Sequence, residues 1–282
     1  MATVREALDA SVDGLTAIGV EDARLDAELL LGEATGYERA RLTAEPQAEL
    51  PAGSARTFGE MVRRRLRREP VAYILGTKGF RHIELAVDRR VLIPRPETEL
   101  LVELAVERQP RRVLDVGTGS GAIALAVADE VAECEVVATD TSPGALEVAR
   151  ANAARLGLAE RVTFVEGTLP DGEFDLVLAN LPYIPEADWP GLQPEVRDWE
   201  PREALLAGPD GLDAYRTLFA PPHPAECGCP LCPIGPQRTT TVAVEVGEGQ
   251  SVAVAELVRG AGWGEVETRR DLAGIERVVV GR

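Results

Sequence analysis

Long hydrophobic runs are absent from this sequence. No stretch reaches the roughly 18 consecutive apolar residues that suggest a membrane-spanning helix, so we expect no membrane association. The first residues, Met1 to Glu6, contain no apolar core of the kind found in a secretory signal peptide. Cysteine is scarce, with four in 282 residues, which excludes a disulfide framework. These shortages predict a protein of the reducing cytoplasm.

Positive charge is also scarce, because 30 Lys and Arg residues face 47 Asp and Glu residues, for a formal net charge of -17. A large nucleic-acid-binding surface needs clustered Lys and Arg, so we expect no direct binding of nucleic acid, although a local basic patch can exist in an acidic protein. The most basic stretch contains Arg63, Arg64, Arg65, Arg67 and Arg68. It is either a solvated helix face beside a domain joint or a contact for RNA or an acidic partner.

Apolar residues at helical spacing predict a small all-α domain over residues 1–70. The first helix would end at Gly19, and the second would run from about Asp22 to Gly32. A third helix would begin at Ser54, a good capping residue. The residues expected to face inward are Val4, Leu8, Val12, Leu15, Leu25, Leu29, Leu30, Phe58, Met61, Val62 and Leu66.

A different pattern occupies residues 71–91. Two short apolar segments, Val71–Leu75 and Ile83–Val87, flank Gly76 and Gly79. This arrangement predicts a β-hairpin that links the helical domain to the rest of the chain.

Strand and helix patterns alternate after Arg111. Helical patterns at 123–128, 143–156 and 212–219 accompany strand patterns at 113–116, 135–139, 162–165, 174–179, 241–246, 265–269 and 276–280. Such alternation predicts a mostly parallel sheet with helices on both faces. The last two strands lie close together around Gly274 and would form an antiparallel pair at the sheet edge. The predicted fold class is α/β, with a Rossmann-like seven-stranded sheet.

A glycine-rich loop follows the first of these strands and reads Gly117-Thr118-Gly119-Ser120-Gly121. Glycine lets a backbone turn sharply and approach a ligand closely. The spacing is not that of dinucleotide-binding enzymes, and Asp115 ends the strand just before the loop. This combination resembles the first motif of S-adenosylmethionine-dependent methyltransferases. Asp115 would order the loop and approach the methionine amino group.

The next strand ends at Asp140, which lies 19 residues beyond Gly121. An acid at this position can accept hydrogen bonds from both ribose hydroxyls of a nucleotide-like ligand. Alternatively, Asp140 caps the helix predicted at 143–156. Thr168 follows the third strand, where the adenine usually lies.

The fourth strand ends in Asn180-Leu181-Pro182-Tyr183, which resembles the Asn/Asp-Pro-Pro-Tyr motif of methyltransferases that modify planar nitrogens. The Asn180 side-chain oxygen and the backbone carbonyl of Leu181 can each accept one N–H of a substrate NH2 group. That holds the nitrogen in line with the sulfonium methyl, and such orientation supplies up to ~7–11 kcal/mol of barrier reduction. Tyr183 would pack on the planar amide. Leu181 replaces the usual proline, and without a cofactor motif the segment could be a strand ending in a turn.

Several strings occur in order with these motifs: 69–76, 91–99, 195–197, 200–201 and 208–212. Together they resemble the release factor glutamine methyltransferases, also called the HemK or PrmC family. The resemblance covers nearly the whole chain. It implies a helical N-terminal domain for substrate recognition (1–70), a hairpin linker (71–91) and a class I methyltransferase domain (92–282).

The resemblance also implies the reaction and its residues. A methyl group would pass from S-adenosylmethionine to the glutamine of the Gly-Gly-Gln motif in bacterial class 1 peptide chain release factors, leaving N5-methylglutamine and S-adenosylhomocysteine. Asn180, Pro182 and Tyr183 would be catalytic. Cofactor residues would be Gly117, Thr118, Gly119, Ser120, Gly121, Asp140, Thr168 and Asn180. Substrate-binding residues would be Asn180, Leu181, Pro182 and Tyr183, with Pro94, Arg95 and Glu97 on the wall between the domains.

Three alternatives remain open at this point. Arg95 could instead be a structural ion-pair partner of Glu97 or Glu99. The enzyme could be an adenine N6-methyltransferase acting on DNA or RNA, which would need a basic groove or a recognition domain that holds the flipped base. The chain could also be an inactive methyltransferase-like binding module, an idea that only Leu181 supports.

The insertion Pro221–Arg238 departs from the family pattern and carries His223, Cys227, Cys229 and Cys232. A Cys-x-Cys-x-x-Cys segment with a nearby histidine could ligate zinc. No second paired cysteine motif accompanies it, so a surface loop with free thiols, and no metal site, is the prediction.

Overall fold

The computed structural model describes residues 2–220, 234–236 and 239–282, which fall into two compact units. The first unit comprises Met1–Thr77 and Gln193–Trp199, and the second comprises Lys78–Leu192 and Glu200–Arg282. The division therefore lies after residue 77 rather than after residue 70, and a short segment near residue 195 belongs with the N-terminal helices.

Five helices lie in the N-terminal part of the first unit: α1 Val4–Ala17, α2 Ala23–Thr35, α3 Arg39–Ala44, α4 Ala52–Arg65 and α5 Val71–Leu75. A capping box begins α1, where the Thr3 hydroxyl accepts from the Glu6 N–H (3.3 Å) and the Thr3 N–H donates to the Glu6 carboxylate (2.9 Å). The shared core of the unit contains Val4, Leu8, Ala27, Leu30, Leu31, Leu42, Leu50, Phe58 and Ile74.

Part of the predicted inward face is wrong. Leu25 and Leu29 are 38% and 36% exposed, because α2 turns a different stripe inward, and Leu66 at the end of α4 is 37% exposed. The buried stripe of α2 is Ala23, Ala27, Leu30 and Leu31. Helix bounds differ as well: Pro51 rather than Ser54 is the N-cap of α4, and α2 continues to a left-handed Gly36.

Three arginines of the most basic stretch are committed to ion pairs within the first unit. The Arg65 side chain is only 6% exposed, and its guanidinium bridges carboxylates from α2 and from the segment near residue 195. For Arg65 and Arg68, whose side chains are 6% and 19% exposed, the solvated-face interpretation is wrong, and their pairs with Glu195 hold the segment Gln193–Trp199 in the unit. The Arg64 side chain is 38% exposed and pairs with Glu69 instead. The pairs are Arg64–Glu69 (2.6 Å), Arg65–Asp26 (2.6 Å), Arg65–Glu195 (2.7 Å) and Arg68–Glu195 (2.6 Å).

The predicted hairpin exists, but its first strand lies elsewhere. Val71–Leu75 is the helix α5, and the two-stranded sheet pairs β1 Thr77–Phe80 with β2 Ile83–Ala86. Pro70 at the N-cap and Gly76 in the left-handed conformation (φ 77°) delimit α5. Proline at a helix start and glycine just beyond its end are standard helix boundaries, and here they outweigh the β-branched residues between them.

The second unit is built on a seven-stranded sheet in the order β5-β4-β3-β6-β7-β9-β8. Neighbours from β5 to β7 run parallel, whereas β9 pairs antiparallel with both β7 and β8. The predicted sheet and its antiparallel edge pair are confirmed, with bounds shifted by two residues at most. The strands are β3 Arg112–Val116, β4 Glu135–Asp140, β5 Val162–Glu166, β6 Phe174–Ala179, β7 Thr239–Glu245, β8 Val266–Arg270 and β9 Glu276–Gly281.

Helices cover both faces of this sheet. One apolar core lies between the sheet and the helices that follow β2, β3 and β4, and another involves the helices before and after β7. The helices described in the second unit are α6 Glu99–Arg108, α7 Ala122–Glu130, α8 Pro143–Leu156, α10 Asp213–Leu218 and α11 Ser251–Gly260, whereas α9 Pro194–Arg197 lies in the first unit. Short 3-10 turns span Pro96–Thr98, Glu186–Gly191 and Arg202–Ala204. Among the described residues no helix is long and apolar enough to cross a membrane.

The strand order places a topological switch between β3 and β6. The chain moves from β3 outward to β4 and β5, and then returns to the other side of β3 with β6. Ligands of open α/β sheets bind at the carboxyl ends of the strands beside such a switch. The glycine loop after β3 and the tetrapeptide after β6 meet at this point.

Candidate active site

The glycine loop after β3 is held by backbone hydrogen bonds. Gly117, Gly119 and Gly121 all have positive φ, at 75°, 57° and 87°. The N–H groups of Gly117 and Thr118 both donate to the carbonyl of Thr139, at 2.9 and 2.8 Å. A side chain at Gly121 would bring its Cβ within 2.8 Å of a carbon of Leu125 in α7, so this glycine permits close packing of loop and helix.

The Asp115 side chain fixes the conformation of this glycine loop. It is fully buried, and one carboxylate oxygen accepts from the Thr118 hydroxyl (2.6 Å) and the Ala124 N–H (3.1 Å). Burial raises the pKa of Asp115 to about 7. Ser120 is also buried, and its carbonyl accepts from the Asn152 side-chain amide (2.9 Å). Neither Asp115, Thr118 nor Ser120 lines the cavity, so their contribution is to fix the loop backbone.

A cavity opens where the carboxyl ends of β3, β4 and β6 meet. Gly119 and Gly167 border it, and a Cβ at either glycine would meet no atom within 4 Å, so bare backbone faces open space there. Its lining includes Arg90, Val91, Leu92, Val116, Gly117, Gly119, Asp140, Thr141, Ser142, Ala145, Gly167, Thr168, Asn180, Leu181 and Pro182.

Asp140 joins the glycine loop to the start of α8. One carboxylate oxygen accepts from the Gly119 N–H and the other from the Ser142 N–H, both at 2.9 Å. The N-cap of α8 is Ser142, whose hydroxyl accepts from the Ala145 N–H (3.2 Å). Capping of α8 by Asp140 itself, the alternative interpretation, is therefore wrong. Asp140 borders the cavity.

Thr168 lies on the same cavity, and its carbonyl accepts from the Thr139 hydroxyl at 2.8 Å. Of the predicted cofactor residues, those that line the cavity come from the ends of β3, β4, β5 and β6 and are Gly117, Gly119, Asp140, Thr168 and Asn180. Thr118, Ser120 and Gly121 do not line it. An acid, a hydroxyl and exposed glycine backbone around one cavity fit a ligand with a ribose diol and a planar base.

The tetrapeptide contributes Asn180, Leu181 and Pro182 to this cavity. The Asn180 amide nitrogen donates to the Thr98 hydroxyl at 2.9 Å. The Thr98 hydroxyl in turn donates to a carboxylate oxygen of Glu245 at 2.6 Å. Within the described part of the chain, the Asn180 side-chain oxygen has no hydrogen-bond partner and remains free to accept.

Leu181 is fixed by packing in place of the usual proline ring. Its Cδ2 lies 3.4 Å from the position that a Cβ on Gly117 would occupy, and its side chain packs against the core on that face of the sheet. No described residue donates a hydrogen bond to its backbone carbonyl. The Leu181 carbonyl, which is the second acceptor that the motif should provide, therefore has no hydrogen-bond partner among the described residues.

Tyr183, the last residue of the tetrapeptide, is partly buried and does not line the cavity. Its carbonyl accepts from the Gln250 side-chain amide (2.8 Å), and its ring lies 3.0 Å from the position of a Cβ on Gly247. Burial raises the pKa of Tyr183 to about 12, with a further contribution from Glu245, so the phenol stays protonated at neutral pH.

Arg95 is an ion-pair partner, but of a residue that was not predicted. Its guanidinium pairs with Glu200, a buried carboxylate that also accepts from the Ile93 N–H at 3.0 Å. The alternative interpretation, an ion pair with Glu97 or Glu99, is wrong in its partner. Neither Arg95 nor Glu97 lines the cavity, although both influence the electrostatics of Tyr183.

Sequence patterns did not predict two residues of the site, Thr98 and Glu245. Glu245 is 2% exposed, and burial raises the pKa of its carboxyl to about 7. A usable signal existed, because Glu245 is the only charged residue in the strand Thr239–Glu245 and directly follows the apolar residues 242–244. A charge buried in such a strand is costly and points to a specific partner.

The cysteine-containing insertion cannot be placed in this site. His223, Cys227, Cys229 and Cys232 lie outside the described residues. Within residues 2–220, 234–236 and 239–282, no group of three or more His, Cys, Asp or Glu side chains could hold a metal ion.

Comparisons with known proteins agree with the geometry. Residues 6–76 match the PrmC N-terminal domain, and residues 113–199 match a methyltransferase domain. The release factor glutamine methyltransferase of Geobacter sulfurreducens is 43% identical over 286 residues, covering 99% of this chain and 96% of that protein. The chain belongs to the release factor glutamine methyltransferase family. The family member of Caulobacter vibrioides is also 43% identical, over 99% of this chain and 96% of that protein.

The protein is accordingly an S-adenosylmethionine-dependent methyltransferase, as the glycine loop predicted. The catalytic domain of hMettl16, solved in complex with a 3′UTR hairpin, superposes with a TM-score of 0.52 at 16% identity. That superposition covers 70% of this chain and 75% of the hMettl16 chain. At this identity the likeness supports the Rossmann-like methyltransferase fold alone.

Proposed function

We propose that this enzyme methylates the side-chain amide nitrogen of the glutamine in the Gly-Gly-Gln motif of bacterial class 1 peptide chain release factors. The observation that carries the proposal is a pair of unoccupied acceptors, the Asn180 side-chain oxygen and the Leu181 carbonyl, beside the cavity of the glycine loop. Relatives that match this chain nearly end to end are named release factor glutamine methyltransferases.

The two acceptors compensate for the low nucleophilicity of the substrate amide nitrogen. An amide nitrogen shares its lone pair with the carbonyl and is a poor nucleophile. When each N–H of the NH2 group donates to one acceptor, the nitrogen is held in line with the methyl carbon. Such orientation contributes up to ~7–11 kcal/mol of barrier reduction. The new C–N bond forms as the C–S bond breaks, and the nitrogen then releases one proton to water.

The cofactor supplies the electrophilic methyl group, and the residues proposed to hold it are those that converge on the cavity. The backbone of Gly117–Gly121 would lie closest to the reacting end, Asp140 would bind the ribose hydroxyls, and Thr168 would lie beside the adenine. The carboxylate of Asp140 already accepts two backbone N–H groups, which fixes its orientation before any ligand binds.

The first unit is proposed to recognise the release factor, with Arg95 and Glu97 contributing from the second unit. The match of residues 6–76 to the PrmC N-terminal domain supports this role. Methylation of adenine in nucleic acid is less well supported. Three of the five arginines in the most basic stretch are paired with carboxylates, which reduces the charge available to phosphates.

Incubation with labelled S-adenosylmethionine and an unmethylated release factor tests the proposal. A matched release factor with its motif glutamine changed to alanine is the control. We expect label on the first protein only, located on the glutamine side chain by mass spectrometry. Equal labelling of both proteins, or label on adenine-containing nucleic acid instead, would contradict the proposal. Bound cofactor without transfer to any substrate would favour an inactive binding module.

A further inference from the structure

Three side chains form a directional hydrogen-bonded chain beside the cavity. Asn180 follows β6, Thr98 ends the turn before α6, and Glu245 ends β7, so three separate elements of the second unit converge here. The Asn180 amide nitrogen lies 2.9 Å from the Thr98 hydroxyl oxygen, which lies 2.6 Å from a Glu245 carboxylate oxygen. Thr98 is 4% exposed and Glu245 2% exposed, so water does not compete for these bonds.

The chain has one polarity when Glu245 is ionised. A carboxylate only accepts, and a threonine hydroxyl has a single hydrogen to donate. That hydrogen must go to Glu245, so the Thr98 oxygen accepts and the NH2 end of Asn180 is the end that faces it. The side-chain oxygen of Asn180 is thereby directed away from Thr98 and stays available to a substrate N–H.

A proton on Glu245 removes this constraint. The carboxyl group can then donate to the Thr98 oxygen, and the Thr98 hydrogen becomes free to donate to Asn180. The Asn180 amide can turn over to accept it, and in that orientation an NH2 group replaces the acceptor. An NH2 group cannot accept a substrate N–H, so the productive alignment of the amide nitrogen is lost.

From this geometry we infer that Thr98 and Glu245 are positioning residues, which hold Asn180 in the single amide orientation able to accept a substrate N–H. The inference rests on the proposed function, because it concerns transfer to a planar NH2 nitrogen. Neither residue lines the cavity, so both act on the reaction through Asn180.

The surroundings of Glu245 make this chain responsive near neutral pH. Burial raises the pKa of Glu245 to about 7, and repulsion from Glu97 acts in the same direction, whereas Arg277 and Arg95 oppose it. Tyr183 is a further neighbour, and the Tyr215 hydroxyl donates to the Glu245 backbone carbonyl at 2.6 Å. Both phenols have raised pKa values and stay neutral across this range.

Substitutions at Thr98 test the chain directly. Thr98→Val keeps the shape and removes the hydroxyl, whereas Thr98→Ser keeps the hydroxyl. We expect Thr98→Val to lower the single-turnover rate at saturating cofactor by about 10–100-fold, and Thr98→Ser to stay within a few fold. Cofactor Kd should be unchanged in both. Thr241→Val, at a buried threonine on the same strand as Glu245, is the matched control and should transfer methyl at the wild-type rate.

Several outcomes would overturn the inference while leaving the proposed function intact. One is a Thr98→Val enzyme that methylates the release factor at the wild-type rate. Another is an equal loss in the Val and Ser variants, and a third is a loss that follows cofactor affinity rather than turnover. Absence of methylation by the wild-type enzyme would instead count against the proposed function. Cofactor binding and thermal melting of each variant establish that it is folded.

A pH profile separates positioning from a purely structural role. The wild-type single-turnover rate should fall below about pH 7, as Glu245 gains its proton, and should level off at a lower plateau, because the protonated carboxyl can still accept from Thr98 through its other oxygen. Glu245→Gln cannot titrate, and its side-chain oxygen can still accept from Thr98. We expect its plateau rate to stay within about tenfold of wild type and its acid limb to disappear. An unchanged acid limb in Glu245→Gln would refute the inference.

Discussion

At the scale of single residues, the reaction depends on which atoms are left without partners. The Asn180 amide nitrogen donates to the Thr98 hydroxyl, and among the described residues neither the Asn180 side-chain oxygen nor the Leu181 carbonyl has a hydrogen-bond partner. Leu181 stands where the motif usually has a proline ring, and its side chain packs against the glycine loop. The acceptor belongs to the backbone, and packing supplies the rigidity.

Replacement of Asn180 by alanine should separate turnover from binding. The variant keeps the glycine loop, Asp140 and Thr168, but it loses the acceptor that holds the substrate nitrogen. We expect turnover to fall by about 100-fold or more, while cofactor Kd changes by only a few fold. Rapid-quench methyl transfer and calorimetric titration of the cofactor measure the two quantities. Equal losses in both would argue against a role for Asn180 at the amide.

At the scale of elements, the short connection between β7 and α11 sets the position of Tyr183. The Gly247 N–H donates to the Gln250 side-chain oxygen (3.0 Å), and the Gln250 amide donates to the Tyr183 carbonyl (2.8 Å).

The seven strands were predictable because β-branched residues recur between turn residues. The helix α5 was not, because its interior residues favour strands and only Pro70 and Gly76 mark its ends.

Gly247→Ala tests the importance of that connection. An added Cβ would lie 2.8 Å from the Gln250 side-chain oxygen and 3.0 Å from the Tyr183 ring, so both groups must move. We expect turnover to fall by about tenfold with cofactor Kd unchanged, since neither group lines the cavity. Gly264→Ala, where a Cβ meets nothing within 4 Å, is the control. Similar activity in the two variants would rule out a wall role for Tyr183.

At the scale of the whole molecule, each unit contains a buried ionisable side chain that fixes the position of a neighbouring segment. In the first unit, buried Arg65 ties the segment Gln193–Trp199 to the helices through Glu195. In the second unit, buried Asp115 holds the glycine loop. Such groups reduce stability unless they are well paired, so their retention indicates a need for geometry rather than for stability.

Asp115 gives the unfolding free energy a specific pH dependence. Its pKa rises from the ordinary 3.8 to about 7 on folding, so between these values the folded state binds more protons than the unfolded state. Stability therefore falls as pH rises from about 4 to about 7, and this contribution is level above that. Asp115→Asn lacks it, so wild type should lose up to about 4 kcal/mol relative to the variant across the window. Urea titrations at several pH values measure this; parallel curves would contradict it.

The sequence by itself determined the glycine loop, Asp140, the tetrapeptide and the succession of strands along the chain, because each depends on local spacing. Only the tertiary structure decided the partners of these residues. Thr98 meets Glu245 across 147 positions, and Arg95 meets Glu200 across 105. Contacts between residues so far apart in sequence depend on which strands become neighbours and on how closely they pack. The periodicity of a single segment carries no information about either.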